Sequence, residues 1–482
     1  MNFELFLPFI GYFLLIIAIG VYSSKYSSKG ISEFFLGGRN MSRFVVALSA
    51  VVSGRSAWLL LGVSGLAYAR GITAIWAVAG YTVVEFLLFV YYAPRLRKYT
   101  ADNDCITIPD FYASKFNDTT GFLRILVVCI FLIFMVTYVA AQFASGGKAF
   151  FAHFGISQTS GLIITAGIVL FYTLMGGFMA VSYTDVVQAF MMILALVVLP
   201  LIGIIDKGGW SSIHLEMVND QPGFFDIASI SGIALIGYLG IGLGSPGNPH
   251  ILVRYMSIRD PKQFKWTAIV GTIWNTVMGI GAVLIGMVGR SYFQDVSMLP
   301  GSDAENIFIV LANELMNPFL VGLVLASIFA AIMSTADSQL LVAASSIVRD
   351  IYEKLIRKGE DIDPGKLAYY SRISVLVIVV LAVLLGIYSQ DLIFWFVLFA
   401  WGGLGAAIGP TSILALFWKK TTKAGVIAGL FTGTIIVFIW KNIPFLDKLI
   451  YELVPGFILS LMATVIISLI GSKEKMKNSF SK

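Results

Sequence analysis

The sequence predicts an all-α polytopic membrane protein with about thirteen transmembrane helices, ten of which form two inverted five-helix repeats with broken first and sixth core helices. Three observations lead to this fold class. The 482 residues are 58% hydrophobic and only 12% charged, whereas soluble domains carry about 25% charged residues. Apolar windows of about 20 residues, long enough to cross the hydrocarbon core, recur along the chain. Two of these windows are interrupted by glycine, proline and polar residues.

The apolar windows set the order of the predicted spans. They lie near residues 4–24, 41–66, 71–96, 122–153, 156–180, 184–206, 228–256, 264–290, 316–349, 370–389, 391–417, 423–440 and 447–471. Every second connection between them is basic. These basic connections contain Arg39 and Arg43, Arg95 and Arg97, Arg254 and Arg259, Lys354 and Arg357, and Lys419 and Lys420. Because basic loops remain in the cytoplasm, we expect an odd number of spans, an outside N-terminus and a cytoplasmic C-terminus.

The first interrupted window contains SAVVSGRSAWLLLG, residues 49–62. It puts Ser53, Gly54, Arg55 and Ser56 at the expected mid-depth of the membrane. An arginine there costs from roughly 3 to over 10 kcal/mol unless it faces a polar interior. Irregular backbone survives at that depth only against protein or a water-filled cavity. The run favours a broken helix whose carbonyls line a transport site; the alternative is a continuous helix with a small-residue packing face.

The second interrupted window contains IGLGSPGNPH, residues 241–250. Its prolines lack amide donors and its glycines relax the backbone. Without the leading helix, the two breaks fall in the first and sixth remaining spans, which is typical of inverted repeats that bind substrate and ion between them. The predicted organisation is a leading helix with a cytoplasmic loop (4–40), a first repeat (41–206), a second repeat (228–417), two trailing helices (423–471) and a basic cytoplasmic tail (472–482).

A third polar cluster lies in the ninth window, in AAIMSTADSQLL from residue 330. Helical spacing puts Ala331, Ser334 and Thr335 on one face. Two hydroxyls together with carbonyl oxygens from a broken helix suit a monovalent cation better than Ca²⁺ or Mg²⁺. Serine and threonine in membrane helices more often bond to their own helix or join two helices. Spacing alone favours this second interpretation.

Two carboxylates lie in or beside the apolar windows. Asp337 and Ser338 directly follow the hydroxyl pair, and Asp185 opens the sixth span. Carboxylates within a membrane are functional candidates, and Asp185 could equally be a helix N-cap at the interface.

No enzyme motif is visible in the sequence: there is no P-loop, no HExxH and no nucleophile elbow. The longest connections, about 20–25 residues, are ordinary for loops between membrane helices. We therefore expect no enzymatic activity and no nucleic-acid partner. The expected partners are the lipid bilayer and a small-molecule substrate, and the protein is expected to function as a monomer.

Eight stretches, in order along the chain, carry a family resemblance. They are FFLGGRNM, ALSAVVSGRSAWLLLG, TIPDFYASKF, GGFMAVSYTDVVQAFMM, NPHILVRYM, AAIMSTADSQLLVAASSIVRDIY, AWGGLGAAIGP and YELVPGF. On these stretches the chain resembles the sodium:solute symporter family, and within it the bacterial sodium/proline symporters. The resemblance implies a LeuT-like fold of two five-helix bundles, a bacterial cytoplasmic membrane location and Na⁺ as the coupling ion.

The resemblance also implies site residues. A sodium site would lie between the first broken helix and the ninth span, with the carbonyls of Val52, Arg55 and Ala331 and the hydroxyls of Ser334 and Thr335 as ligands. A second sodium or coupling site would involve Asp185, Asp337 and Ser338. The expected substrate-binding residues are Ser53, Gly54, Arg55, Ser56, Trp58, Tyr138, Ile241, Ser245 and Pro249.

The chain departs from the proline symporters at two points. They have Asp where this chain has Gly54 and Met where it has Arg55, and they have Trp and Tyr where it has Ile241 and Ser245. We hypothesise that Arg55 either pairs with Asp337 across the cavity or clamps a substrate carboxylate, because its planar fork favours such anions. In a sharper variant, the guanidinium replaces sodium and transport is proton-coupled or passive.

The sequence therefore predicts a sodium-coupled symporter that imports a small organic solute by alternating access, with an amino acid such as proline as the expected substrate. One alternative is a sodium- or proton-coupled symporter of a carboxylate or other organic anion. Another, from a different class, is a symporter-like membrane sensor module.

Overall fold

The computed structural model describes residues 3–27, 31–175, 177–218, 221–358, 360, 362–388 and 392–480. Over these residues the regular structure is helical. The helices are α1 (Phe3–Ser27), α2 (Ile31–Leu36), α3 (Arg43–Ala57), α4 (Ser64–Arg70), α5 (Ile75–Leu87), α6 (Ala93–Asp102), α7 (Ile108–Lys115), α8 (Phe122–Phe154), α9 (Gln158–Met175), α10 (Phe178–Asp206), α11 (Trp210–Val218), α12 (Gly232–Gly240), α13 (Pro249–Ser257), α14 (Phe264–Tyr292), α15 (Ile307–Leu315), α16 (Pro318–Ser345), α17 (Pro364–Tyr388), α18 (Ile393–Phe417), α19 (Lys423–Asn442), α20 (Pro444–Leu449) and α21 (Leu453–Phe480). Wider or tighter helical segments continue some of them, at Trp58–Val63, Leu88–Tyr92, Ile241–Gly247 and Ser346–Ile356.

Ten stretches of the described chain are long and apolar enough to cross a membrane. One of them, Arg43–Asp102, has 60 residues, which as a straight helix would measure about 90 Å, about three times the hydrocarbon thickness. Gly71 ends α4 within this run at a φ of +63°, so the run holds both the second and the third predicted windows. The fifth and seventh windows fall on shorter apolar helices, Gln158–Leu174 and Gly232–Gly247. The protein is a multi-pass membrane protein, and the count of thirteen spans stays a prediction.

Two helices form the centre of the bundle. In an 18-residue apolar window of each span, 83% of the α16 span and 89% of α18 are buried within the protein, against only 22% of the leading helix. Asn317 starts α16 by accepting a hydrogen bond from the Leu320 amide at 3.0 Å, as an N-cap residue does. Helices α1, α3, α8 and α10 pack around α16. The polar side chains of α16 are therefore shielded from lipid.

The start of α3 and the end of α13 lie side by side. The Met41 amide donates to the Ser257 carbonyl at 3.1 Å, and the Arg259 amide donates to the Met41 carbonyl at 2.9 Å. Helix α3 thus leaves the face of the protein at which α13 arrives, so the two run in opposite directions. This antiparallel arrangement of the interrupted helices is the one that an inverted-repeat fold requires.

Candidate functional site

The first interrupted window is a broken helix, as predicted. The break falls at Ser56, whose φ of 49° and ψ of −172° are not helical. A non-glycine residue in this region stores about 1–3 kcal/mol of strain. The amides after the break find side-chain acceptors: Ala57 donates to Gln142 Oε1 at 3.2 Å and Trp58 donates to Ser56 Oγ at 3.1 Å. The break is therefore supported by hydrogen bonds rather than left unsatisfied.

The break also frees backbone carbonyls. In a regular helix the Ser53 and Gly54 carbonyls would accept from the amides four residues later, which here point elsewhere. Thr335 Oγ1 donates to the Ser53 carbonyl at 2.9 Å, and Arg55 Nη1 donates to the Gly54 carbonyl at 3.3 Å. Thr335, on α16, thus contacts a carbonyl that the break of α3 makes available.

The predicted sodium ligands lie mostly around this contact. Ser334 Oγ lies 3.4 Å from the Val52 carbonyl and 3.1 Å from the Ala331 carbonyl. The second of these contacts is the bond to its own helix that spacing alone favours. The carbonyl of Arg55 faces the Trp58 amide. Of the predicted ligands, Ser334 Oγ therefore contacts the Val52 and Ala331 carbonyls, while Thr335 Oγ1 contacts the carbonyl of Ser53, next to Val52.

The predicted second site is a buried polar network around an ion pair. Asp185 is fully buried on α10, where it accepts from Ser49 Oγ at 2.5 Å and from Arg254 Nη2 at 3.1 Å. Arg254, on α13, also contacts Ser338 Oγ. Asp185 therefore does not act as an interfacial N-cap; it joins α10 to α3 and α13.

Asp337 and Ser53 complete this network. Ser338 Oγ lies 3.3 Å from Asp337 Oδ1 and 3.4 Å from Ser53 Oγ. Ser53 Oγ also lies 3.4 Å from Asp185 Oδ2. Ser53, predicted to bind substrate, thus has its hydroxyl on the Asp185 side and its carbonyl on the Thr335 side.

Arg55 has a different partner from the predicted one. It forms an ion pair with Glu85 on α5, donates from Nε to Asn275 Oδ1 at 2.8 Å and stacks over the Tyr81 ring with its guanidinium carbon 3.7 Å from the centroid. The predicted pairing of Arg55 with Asp337 is therefore wrong. The reason is that helix α5 supplies the carboxylate, Glu85, and Asn275 bonds to both members of the pair.

The second interrupted window is also a broken helix, as predicted. Tight helical turns at Ile241–Gly247 end at Asn248, which is extended, and Pro249 starts α13. The Ile241 carbonyl accepts from Trp401 Nε1 at 2.8 Å. Ser245 Oγ donates to Glu85 Oε1 at 3.3 Å. Glu85 thus lies between the two broken helices.

Two aromatic side chains of the predicted substrate set lie at the edges of this region. Trp58 packs between Tyr81, at 5.9 Å between ring centroids, and Phe394, at 5.5 Å. Tyr138, on α8, packs edge-on against His250, at 6.0 Å. Neither ring nitrogen of His250 has a hydrogen-bond partner among the described residues, although the side chain is fully buried.

A cavity of about 510 Å³ lies beyond Trp58, next to Gly62, Phe394 and Glu305. The Glu305 carboxylate accepts from the Ile393 and Phe394 amides, at 2.9 and 2.7 Å, and pairs with Lys148 of α8. Burial raises the pKa of this carboxyl, and Lys148 beside it opposes the shift. The start of α18 is thereby tied to α8 where the cavity meets the aromatic residues.

Three residues of the site were not predicted from the sequence. Glu85 is a carboxylate inside an apolar window, a signal that could have identified it. Arg254 was counted as a cytoplasmic loop charge, yet its side chain is buried against Asp185. Asn275 carries no sequence signal that separates it from an ordinary polar residue of a membrane helix.

A helical membrane protein with two broken, oppositely directed helices around an internal polar site has the architecture of secondary transporters. The family model for the sodium:solute symporter family matches residues 34–433. The chain belongs to the sodium:solute symporter family.

Two similar proteins are named as proline transporters. An osmoregulated proline transporter of Bacillus subtilis (strain 168) is 38% identical over 484 residues, covering 100% of this chain and 97% of that protein. A sodium/proline symporter of Staphylococcus aureus (strain JH9) is 36% identical over 481 residues, covering 98% and 94%.

Solved structures share the fold. A Na⁺-coupled sialic acid symporter in a substrate-bound outward-open state matches with a TM-score of 0.82 at 21% identity, over 97% of this chain and 98% of that one. A nucleobase-cation-symport-1 family transporter in a closed conformation matches with a TM-score of 0.55 at 12% identity, over 91% and 95%. At these identities the likeness concerns the fold alone.

Proposed function

We propose that the protein is a sodium-coupled symporter that imports a small organic solute, an amino acid such as proline, by alternating access. The observation that carries this proposal is the contact of Thr335 Oγ1 with the Ser53 carbonyl beside Ser334, Val52 and Ala331. Hydroxyl and carbonyl oxygens without a carboxylate suit a monovalent cation. Family membership and the proline transporters of similar sequence support the same ion and substrate class.

The proposed sodium ligands are those that the family resemblance implies, Val52, Arg55, Ala331, Ser334 and Thr335. Asp185, Asp337 and Ser338 would hold a second sodium or couple its movement to transport. The substrate would lie between the two broken helices, near Arg55, Trp58, Tyr138 and Ser245.

The proposed organisation follows the two interrupted helices. Residues 41–206 and 228–417 form the repeats, and 423–471 form the trailing helices. The N-terminus lies outside and the C-terminus in the cytoplasm, with the protein in the bacterial cytoplasmic membrane and functional as a monomer. Rocking of one bundle against the other would expose the breaks to each side in turn. Linkage requires that sodium and substrate raise each other's affinity by the same factor.

Uptake into proteoliposomes tests the proposal. Labelled proline and a panel of amino acids and carboxylates are offered with a sodium gradient, with a proton gradient, and with neither. We expect accumulation only with sodium, its loss in Thr335→Ala and its partial return in Thr335→Ser, which restores the hydroxyl.

Ser327→Ala is the matched control for this experiment. Ser327 lies on the same helix, and its hydroxyl donates to the Val324 carbonyl at 2.6 Å within that helix. Uptake by Ser327→Ala should stay close to that of the wild type. Accumulation indifferent to sodium would refute the proposed coupling.

A further inference from the structure

A buried ion pair joins the two broken helices. Glu85 pairs with Arg55 of α3, accepts from Asn275 Nδ2 of α14 at 2.7 Å and accepts from Ser245 Oγ at 3.3 Å. The Arg55 side chain is 1% exposed and that of Glu85 2%. One positive and one negative charge therefore balance each other between the elements that are proposed to hold the substrate.

Glu85 fills the space beside Gly54. A Cβ atom added at Gly54 would lie 3.7 Å from Glu85 Oε1 and 2.9 Å from Ile251 Cδ1. A side chain at position 54 would thus meet Ile251 and the Glu85 carboxylate. The negative charge at this point comes from Glu85 of α5, and Arg55 of α3 balances it.

The balance of charge restricts what can bind there. An anion that paired with Arg55 would leave Glu85 as an unpaired buried carboxylate, and a cation that paired with Glu85 would leave Arg55 unpaired. Breaking a buried pair by removing one partner is strongly unfavourable. A molecule that carries both charges can pair its negative group with Arg55 and its positive group with Glu85. The one pair within the protein is then replaced by two pairs with the substrate.

We propose that Arg55 and Glu85 are specificity-determining residues whose ion pair separates when a zwitterionic substrate binds. The guanidinium then binds the substrate carboxylate, and Glu85 binds the substrate ammonium group. Asn275 is a positioning residue, because it accepts from Arg55 and donates to Glu85. This inference rests on the proposed transport function and narrows its substrate class against the organic anions.

Three compounds of similar shape and different charge test the proposal. Proline, cyclopentanecarboxylate and pyrrolidine compete with labelled proline for uptake into proteoliposomes that contain the full-length protein. We expect the anion and the cation to inhibit about 100-fold more weakly than proline. Equal inhibition by cyclopentanecarboxylate or pyrrolidine would overturn the proposal, and this measurement requires no variant.

Two variants test the pair itself. Glu85→Gln should raise the proline concentration for half-inhibition about 100-fold and bring cyclopentanecarboxylate to within about tenfold of proline, because Arg55 is then free for an anion. Arg55→Met should likewise bring the half-inhibition concentration of pyrrolidine closer to that of proline, because Glu85 is then free for a cation. A purely structural pair would weaken all three compounds equally, and that result would refute the proposal.

Glu353→Gln is the matched control, because Glu353 is also buried beside an arginine, Arg349, at another place in the protein. It should leave the order of the three compounds unchanged. The sodium dependence separates the two proposals: sodium-driven uptake with the wrong charge preference refutes only the zwitterion pair. Loss of sodium dependence with the charge preference intact refutes only the coupling.

Discussion

Two of the buried arginine–carboxylate pairs involve the interrupted helices, and their surroundings differ. Arg55 and Glu85 are balanced one to one, and an amide, Asn275, bonds to both of them. Arg254 and Asp185 are surrounded by serine hydroxyls and by a second carboxylate, Asp337, which interacts electrostatically with both. With both carboxylates ionised, the second cluster carries one negative charge in excess, whereas the first is neutral.

This difference in charge separates two kinds of binding. A cluster with excess negative charge and hydroxyl oxygens can take up a cation, which completes its balance. A neutral pair gains nothing from a single ion and can exchange only with a partner that carries both charges. This difference in charge is consistent with the proposal that the Arg254–Asp185 cluster serves the coupling ion and the Arg55–Glu85 pair serves the substrate.

The largest effects should come from removing one member of each pair. Arg254→Met should lower the free energy of unfolding by about 3–5 kcal/mol, because two carboxylates lose their cation. Asp185→Asn should cost clearly less, about 1–2 kcal/mol, because Asp337 remains to balance Arg254. For the neutral pair, Arg55→Met and Glu85→Gln should each cost about 3–5 kcal/mol. Unfolding in mixed detergent micelles measures all four variants.

An exposed pair provides the control for these variants. Arg357 Nε lies 3.5 Å from Glu360 Oε2, with the two side chains 50% and 65% exposed. Exposed pairs contribute about 0–1 kcal/mol, so Arg357→Met should change stability little. Equal losses for Arg254→Met and Asp185→Asn would contradict the excess charge at the second cluster.

A smaller effect is expected from Asp337→Asn, which removes the excess charge and keeps the Asp185–Arg254 pair. Asp337 is fully buried, and its Oδ2 has no hydrogen-bond partner among the described residues. The sodium concentration for half-maximal uptake should rise about tenfold, which corresponds to about 1.4 kcal/mol. Asp118→Asn, outside the cluster, should leave this sodium concentration unchanged. Unaltered sodium dependence in Asp337→Asn would mean that a proton, rather than sodium, balances Asp337.

The sequence was sufficient to predict the fold because its signals are local. Apolar windows, and the prolines and glycines of residues 241–250, act within a few residues of where they stand. The break at Ser56 was predicted for the same reason. For Ser334 and Thr335, spacing alone favoured bonds within their own helix, and only the family resemblance placed their hydroxyls opposite the break. The partners of the charged residues could not be predicted in this way. Arg55 lies 30 positions from Glu85 and 282 from Asp337, and no local pattern shows which of these carboxylates it pairs with.

Arg254 shows the same limit in another form. In the sequence it stands near Arg259 and Lys262, and its charge supports the positive-inside pattern. In the structure, α13 extends far enough that Arg254 Nη1 donates to the His250 carbonyl at 2.7 Å and Nε donates to Ser49 Oγ at 3.0 Å. A charge at the end of a predicted span can face either the cytoplasm or the core, and only packing decides between them.

The smallest effect on substrate preference should come from Arg55→Lys, which retains the positive charge. Lysine can still pair with Glu85, yet it cannot donate simultaneously to Asn275 and to the Gly54 carbonyl, and it loses the planar stacking over Tyr81. We expect a loss of about 1–2 kcal/mol in stability and an unchanged preference for proline over cyclopentanecarboxylate and pyrrolidine, because charge balance is preserved. A shift of that preference towards the anion or the cation would show that the geometry of the guanidinium, and not the balance of charge, selects the substrate.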